Sequence, residues 1–266
     1  MAKSFWRRPL SRPYLQTAMM SACLLAGVCA APAMAGTMNL VTDGTFDAAG
    51  TKSGKIGAGG VAPSWVNGPG IGATVGYNFL YIAGTADTAS APLELWGTNN
   101  GGANTFTAPP QGGNFVGMDG AYQQGSLSQT ITNLVSGVDY SVTFYWAGAQ
   151  QYGTNFNGAT TDQFVVALQG TALTGKAKCN TAGVQCTNIL HDQSHGFTGW
   201  NEAHFTFTAD GASDVLSFVA LGTPTGVPPF ALLSDITIEV PEPGSLALLA
   251  GTAGLILGYR RRRAAP

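Results

Sequence analysis

Between Pro13 and Tyr259 the sequence contains no arginine; all seven stand at positions 7, 8, 12 and 260–263. Surfaces that bind phosphate or nucleic acid favour the guanidinium fork, which grips an anion through two parallel hydrogen bonds. The body of the chain lacks that tool, and lysine does not replace it. Residues 36–240 hold Lys52, Lys55, Lys176 and Lys178 against thirteen acids, a net charge of about −9. That sign excludes nucleic acid and anionic membrane as partners of the body. Charge of either sign is scarce, at 10% of the chain, while glycine alone numbers 37. The expected surface is therefore neutral and polar, made of strands and turns. No helix-period apolar segment of any length occurs in 36–240. Nothing marks a hydrolytic nucleophile: there is no G-x-S-x-G, and the histidines are only His191, His195 and His204.

What is present begins at the two ends. Lys3, Arg7, Arg8 and Arg12 form a positive segment, Ala18–Ala31 is small and apolar, and Ala33-Met34-Ala35 offers an A-x-A cleavage site. This is the pattern of a secretory signal peptide over residues 1–35, read by the Sec translocon and signal peptidase. A twin-arginine reading of Arg7-Arg8 is disfavoured by Pro9, and a lipoprotein box at Met20–Cys23 lies before most of the apolar run. At the other end, Gly244–Tyr259 is 16 uncharged residues followed by Arg260–Arg263. As a helix it would reach about 24 Å at ~1.5 Å per residue, short of the ~30 Å apolar thickness of a bilayer. Positive charge stays on the cytoplasmic side, so residues 36–240 are expected to face out.

Pro241-Glu242-Pro243, a short Leu/Ala/Gly helix and a terminal cluster of Arg260, Arg261, Arg262 and Arg263 together resemble a PEP-CTERM sorting signal, over 241–266. The resemblance implies recognition by an exosortase, cleavage near Pro-Glu-Pro, transient membrane anchoring through the helix, and delivery to the cell surface or an exopolysaccharide matrix. The plainer alternative is an ordinary C-terminal membrane anchor.

In the exported body, Cys179 and Cys186 enclose CNTAGVQC. An isolated pair in an oxidising compartment is expected to form a disulfide that staples a loop. The sharper reading, C-x6-C-x4-H-x3-H with His191 and His195, is a poor zinc pattern because the cysteine spacing is too wide and the centre too short.

Period-two patterns fill the rest. Tyr140, Val142, Phe144 and Trp146 share one face of a strand, and Ser141, Thr143 and Tyr145 the other. Leu127, Gln129 and Ile131 alternate likewise, as do Phe164, Val166 and Leu168; Phe205 and Phe207; Leu216, Phe218 and Ala220; and Ile236, Ile238 and Val240. One-sided alternation predicts antiparallel sheets with one wet face, and many short strands with turn chemistry predict a sandwich. The order Asn39–Phe46, Gly125–Ile131, Gly137–Phe144, Trp200 and Leu233–Ile238 is similar to galactose-binding-like jelly rolls, found in carbohydrate-binding modules and in plant cell-wall proteins of the DUF642 type. The glycine-rich residues 50–110 match it least. The resemblance implies an all-β, antiparallel jelly-roll β-sandwich over 36–240.

Sugar binding needs an aromatic platform with amides or carboxylates beside it. Tyr145 points away from the core row. The loop 147–158 carries Tyr152, Phe156, Asn155 and Gln151 and is expected to bind ligand, against the alternative of a plain polar loop. Trp96 and Tyr122, each followed by polar residues, are further candidates, while Trp65, Trp96 and Trp200 are more simply plugs at the sandwich ends. A structural Ca²⁺ is considered at Asp43, Asp47 and Asp235, oxygen donors placed on neighbouring first and last strands by the resemblance; turn and surface roles account for them otherwise. A glycoside hydrolase needs two carboxylates across a cleft, and the body glutamates Glu94, Glu202 and Glu239 show no reason to pair. The sequence thus leads to a non-catalytic, carbohydrate-binding surface or matrix protein. A matrix protein without a ligand site and a secreted hydrolase are the alternatives.

Overall fold

The structure is a computed structural model that describes residues 39–57 and 61–239, all within one compact unit. The predicted signal peptide with Ala33 and Ala35, the Pro241-Glu242-Pro243 motif and Arg260–Arg263 lie outside the described residues. Among the described residues there is no α-helix, and no helix is long and apolar enough to cross a membrane.

The described residues form twelve strands in two antiparallel sheets: β1 (Gly54–Lys55), β2 (Val66–Asn67), β3 (Asn78–Tyr81), β4 (Phe115–Asp119), β5 (Leu127–Thr132), β6 (Asp139–Gln150), β7 (Thr160–Gln169), β8 (Gln185–Cys186), β9 (Leu190–Asp192), β10 (Asn201–Thr208), β11 (Ser213–Thr223) and β12 (Pro229–Glu239). The first sheet runs β1-β3-β4-β12-β6-β10; the second runs β2-β5-β11-β7-β8, with β9 also on β7. The predicted all-β antiparallel sandwich is what the chain forms.

The alternation read in the sequence is the reason. Tyr140, Val142, Phe144 and Trp146 are buried between the sheets, as are Phe164, Val166, Leu168, Leu216, Phe218, Ile236 and Ile238. The rings of Phe144, Phe164 and Phe218 meet edge to face with centroids 5.1–6.3 Å apart, the arrangement favoured by the aromatic quadrupole. Gln129 sits in the same inward row and is not a misfit. Its amide takes Thr42 N–H at 2.8 Å and donates to the carbonyls of Thr42 (2.7 Å) and Ser64 (3.0 Å), so one buried polar side chain ties the N-terminal segment to the second sheet.

Both sheets are also covered on parts of their outer faces. On the first, Phe79, Tyr81, Phe115, Phe230 and Leu232 lie under Ala86, Leu95 and Phe106. On the second, Val165, Ala167 and Val219 lie under Leu173 and Ala177. The first described residues dock on β12: Leu40 N–H donates to Ile238 O and Ile236 N–H to Gly44 O, both at 3.1 Å. Gly44 is required there, because a Cβ would collide with the Ile236 carbonyl.

Candidate functional site

β4 ends at Asp119, and the chain turns at once. Asp119 Oδ1 accepts the backbone N–H groups of Ala121 (2.7 Å) and Tyr122 (2.8 Å), the self-bonding turn that aspartate favours. The turn throws Tyr122 outward, where its side chain is 53% exposed. Tyr77, just before β3, stands beside it with ring centroids 5.3 Å apart. Facing these rings are Gln151, which follows β6, then Phe156 from the next loop, and Thr225, Gly226 and Pro228 before β12. Together they line an open cleft of about 340 Å³.

The polar groups of the cleft are few and available. Asp119 is itself buried, and its Oδ2 accepts no hydrogen bond among the described residues. Burial pushes its carboxyl up to about 6 against the two amides that hold it down. Burial and the nearby Asp119 likewise raise the Tyr77 phenol. Gln151 is fixed by its backbone N–H on Pro228 O (3.1 Å), which leaves its side-chain amide to the cleft. Exposed ring surface beside a carboxylate oxygen and an amide is the donor, acceptor and platform set that a neutral pyranose needs.

The structure divides the five residues that the sequence named as ligand-binding. Phe156 and Gln151 share this cleft. Tyr152 does not: it packs edge-on against Trp96 at 4.6 Å, and Trp96 in turn stacks on His195 at 3.8 Å. Asn155 is exposed on the same loop. Tyr145 lies on the open part of the first sheet's outer face, register partner of Glu202 on β10. There it lines a separate groove of about 500 Å³ with Glu202, His204, Asp235 and Glu239, in which His204 Nε2 meets Glu202 Oε2 at 3.1 Å. Sequence reasoning missed Tyr77 and Asp119. The signal for Asp119 was its Asp-Gly turn; Tyr77 sits in the glycine-rich region that carried no strand pattern.

Asp43, Asp47 and Asp235 do come close: the charge of Asp47 raises the carboxyls of both others, after burial, the larger cause in each. They are nevertheless not a ligand triad. Asp47 Oδ1 accepts Asn114 N–H (3.1 Å) and Asp43 Oδ1 accepts Ala48 N–H (3.0 Å). Asp43 Oδ2 and both Asp235 oxygens stay without a hydrogen-bond partner, although the Gln111 amide and the Ser234 hydroxyl are near enough to favour the Asp235 charge. Among the described residues no group of three or more His, Cys, Asp or Glu stands so that it could hold a metal ion. What survives of the expectation is a pair of carboxylates with orphaned oxygens, in an environment that costs free energy unless a proton, water or a cation serves them. Cys179 and Cys186 stand as a disulfide, Cα atoms 5.7 Å apart, so neither thiol is available to zinc. Glu94 and Glu202 do not share a groove: Glu94 receives the Asn100 amide at 3.4 Å and is not among the residues that line the Glu202 groove.

No protein-family model and no curated protein matches the chain. Among solved structures it is similar to TmCBM61 in complex with β-1,4-galactotriose (12% identity, 77% of this chain and 100% of that one, TM-score 0.37). It is also similar to the CBM22-1 xylan-binding domain of Paenibacillus barcinonensis Xyn10C (12%, 77% and 95%, TM-score 0.34). A third is the C-terminal CBM6 of LamC from Zobellia galactanivorans (13%, 61% and 98%, TM-score 0.27). The likeness is too distant to carry a ligand across.

Proposed function

We propose that the chain is an exported, non-catalytic β-sandwich that binds a neutral polysaccharide in the Tyr77–Tyr122–Phe156 cleft and is sorted to the cell surface or exopolysaccharide matrix. One observation carries the binding reading: the exposed ring of Tyr122 and the half-buried ring of Phe156 flank a carboxylate oxygen and an amide that have no partner of their own. The ligand class follows from charge. A body with about −9 net charge and no arginine disfavours uronate- or sulfate-rich chains, so the ligand is an uncharged glycan. The test is affinity electrophoresis of the protein through gels cast with neutral galactan, xylan or glucan. The expected result is retardation in one of them, abolished in Tyr122→Ala/Phe156→Ala. No retardation in any gel would leave a matrix protein without a ligand site.

The sorting reading rests on sequence: Pro241-Glu242-Pro243, the 16-residue apolar segment and four arginines in order at the end of an exported chain. Intact mass of protein recovered from the host's surface should end near Val240–Gly244. It should retain the tail when Arg260–Arg263 are replaced by alanine. A surface form that still carries Arg263 would overturn exosortase processing in favour of a plain anchor.

A further inference from the structure

β7 opens with Thr160, Thr161 and Asp162, and β9 runs antiparallel to it with Thr160 opposite Asp192 and Asp162 opposite Leu190. Residues two apart on a strand share a face, and so do directly opposed partners. Thr160, Asp162 and Asp192 therefore project together into the interior, at 2%, 0% and 5% exposure. Four of their oxygens have no hydrogen-bond partner: Thr160 Oγ1, both oxygens of Asp162, and Asp192 Oδ2. Asp43 differs in being only half-buried, with its Oδ1 accepting the Ala48 N–H. An enclosed, unpaired carboxylate costs several kcal/mol, and here two stand together, with Asp119 near enough for its charge to be felt at Asp162.

Two glycines pack directly against the carboxylates. Gly148 faces Asp162, and a Cβ there would lie 2.8 Å from Oδ2. Gly196 lies bare against the Asp192 carboxylate, where a Cβ would collide. Asp192 also lines an open cavity of about 520 Å³ formed by residues from 101–105 and 191–198.

We infer that Asp162, Asp192 and Thr160 form a buried site for a hard divalent cation, Ca²⁺. The donor set is oxygen only. Both described cysteines are in the disulfide, the His195 ring is taken by Trp96 and Asn157, and His191, opposite Thr161, projects to the other face. Two carboxylates and a hydroxyl leave coordination positions open. Ca²⁺, with six to eight oxygens and loose geometry, tolerates completion by backbone carbonyls and cavity water; Mg²⁺, which demands a tight octahedron, does so less readily. The cation would replace two costly charges by a neutral cluster.

The test takes the protein as recovered from its host, strips it with EDTA and titrates it with CaCl₂ alone, reading stoichiometry by isothermal titration and Tm by calorimetry. The expected parent binds Ca²⁺ with a Tm rise of several degrees. Asp192→Asn loses one equivalent, Thr160→Val weakens that equivalent about tenfold, and Asp43→Asn/Asp235→Asn keeps it. The inference is overturned if the parent binds no Ca²⁺ at millimolar concentration. It is equally overturned if Asp192→Asn and Thr160→Val bind as the parent does, or if the Asp43/Asp235 variant removes all binding. Asp162→Asn adds a further arm: a higher Tm in EDTA, with Ca²⁺ binding unchanged, would replace the cation by a carboxyl pair that shares a proton. Should that variant fail to fold, the parent, Asp192→Asn and Thr160→Val decide between these outcomes without it.

Discussion

Tyr122 meets Tyr77 edge to face, so the inner ring is held by its neighbours while the outer ring keeps a free face to solvent. Tyr77 is also braced by Phe79 at 4.7 Å and by the Lys55 ammonium 5.3 Å from its centroid. The pair is thus ordered before any ligand arrives, as the proposed glycan platform requires.

Tyr122→Ala should weaken binding of the neutral glycan by roughly tenfold, since an aromatic contact contributes ~0.5–1.5 kcal/mol beyond area burial and about 1.4 kcal/mol is a factor of ten. Tm should change little, because the removed ring is mostly exposed. Titration calorimetry with the retained polysaccharide reads the first and a melting curve the second. A large fall in Tm with unchanged affinity would assign the ring to stability instead.

The raised carboxyl of Asp119 makes stability depend on pH. An acid whose folded pKa lies above its unfolded value keeps its proton longer in the folded chain. Its contribution is full below about pH 4, is lost as pH rises through about 6, and is flat above. Two units at about 1.4 kcal/mol each make the loss about 3 kcal/mol. The stability difference between the parent and Asp119→Asn, followed by urea unfolding from pH 4 to 8, should show that slope. A pH-independent difference would contradict it.

Reducing the Cys179–Cys186 bond should cost about 2.5 kcal/mol by the loop-closure estimate for eight residues. The loop covers the outer face of the second sheet, where Cys186 packs on the Val165/Val219 cluster. Scanning calorimetry with and without reductant measures the cost, and Cys179→Ser/Cys186→Ser should match the reduced protein.

Gln129→Ala should destabilise by about 1–3 kcal/mol, because truncation strands the Thr42 and Ser64 backbone groups that it serves. Hydrogen exchange should rise first in residues 39–46. Exchange that rises uniformly would mean that the segment is held by other contacts.

The inward rows of β5, β6 and β10 were legible in the sequence because those strands have one wet face. β12 was legible only from Leu233 onward, although it begins at Pro229. Phe230 and Leu232 point to the outer face but are buried under the 86–106 segment, and a run buried on both faces shows no alternation. β3 and β4 were hidden for the same reason: all of Asn78–Tyr81 and Phe115–Asp119 are buried. The candidate cleft was half legible. Loop position pointed to Phe156 and Gln151, and flanking glutamines to Tyr122. Asp119 and Tyr77 join them only through pairing of β3 with β4, a long-range fact that no local pattern encodes. Gln129 was read in its row with Leu127 and Ile131, but its partners, the backbone groups of Thr42 and Ser64, lie in another segment that no local pattern points to.

β12 starts next to the cleft, with Pro228 in its wall, and runs eleven residues to Glu239, where the described chain ends. At ~3.3 Å per residue the strand separates the two by about 33 Å. A body tethered through its tail would therefore carry the cleft at its far pole. In that arrangement β12 would act as a rigid spacer that lifts the cleft clear of whatever layer held the tail.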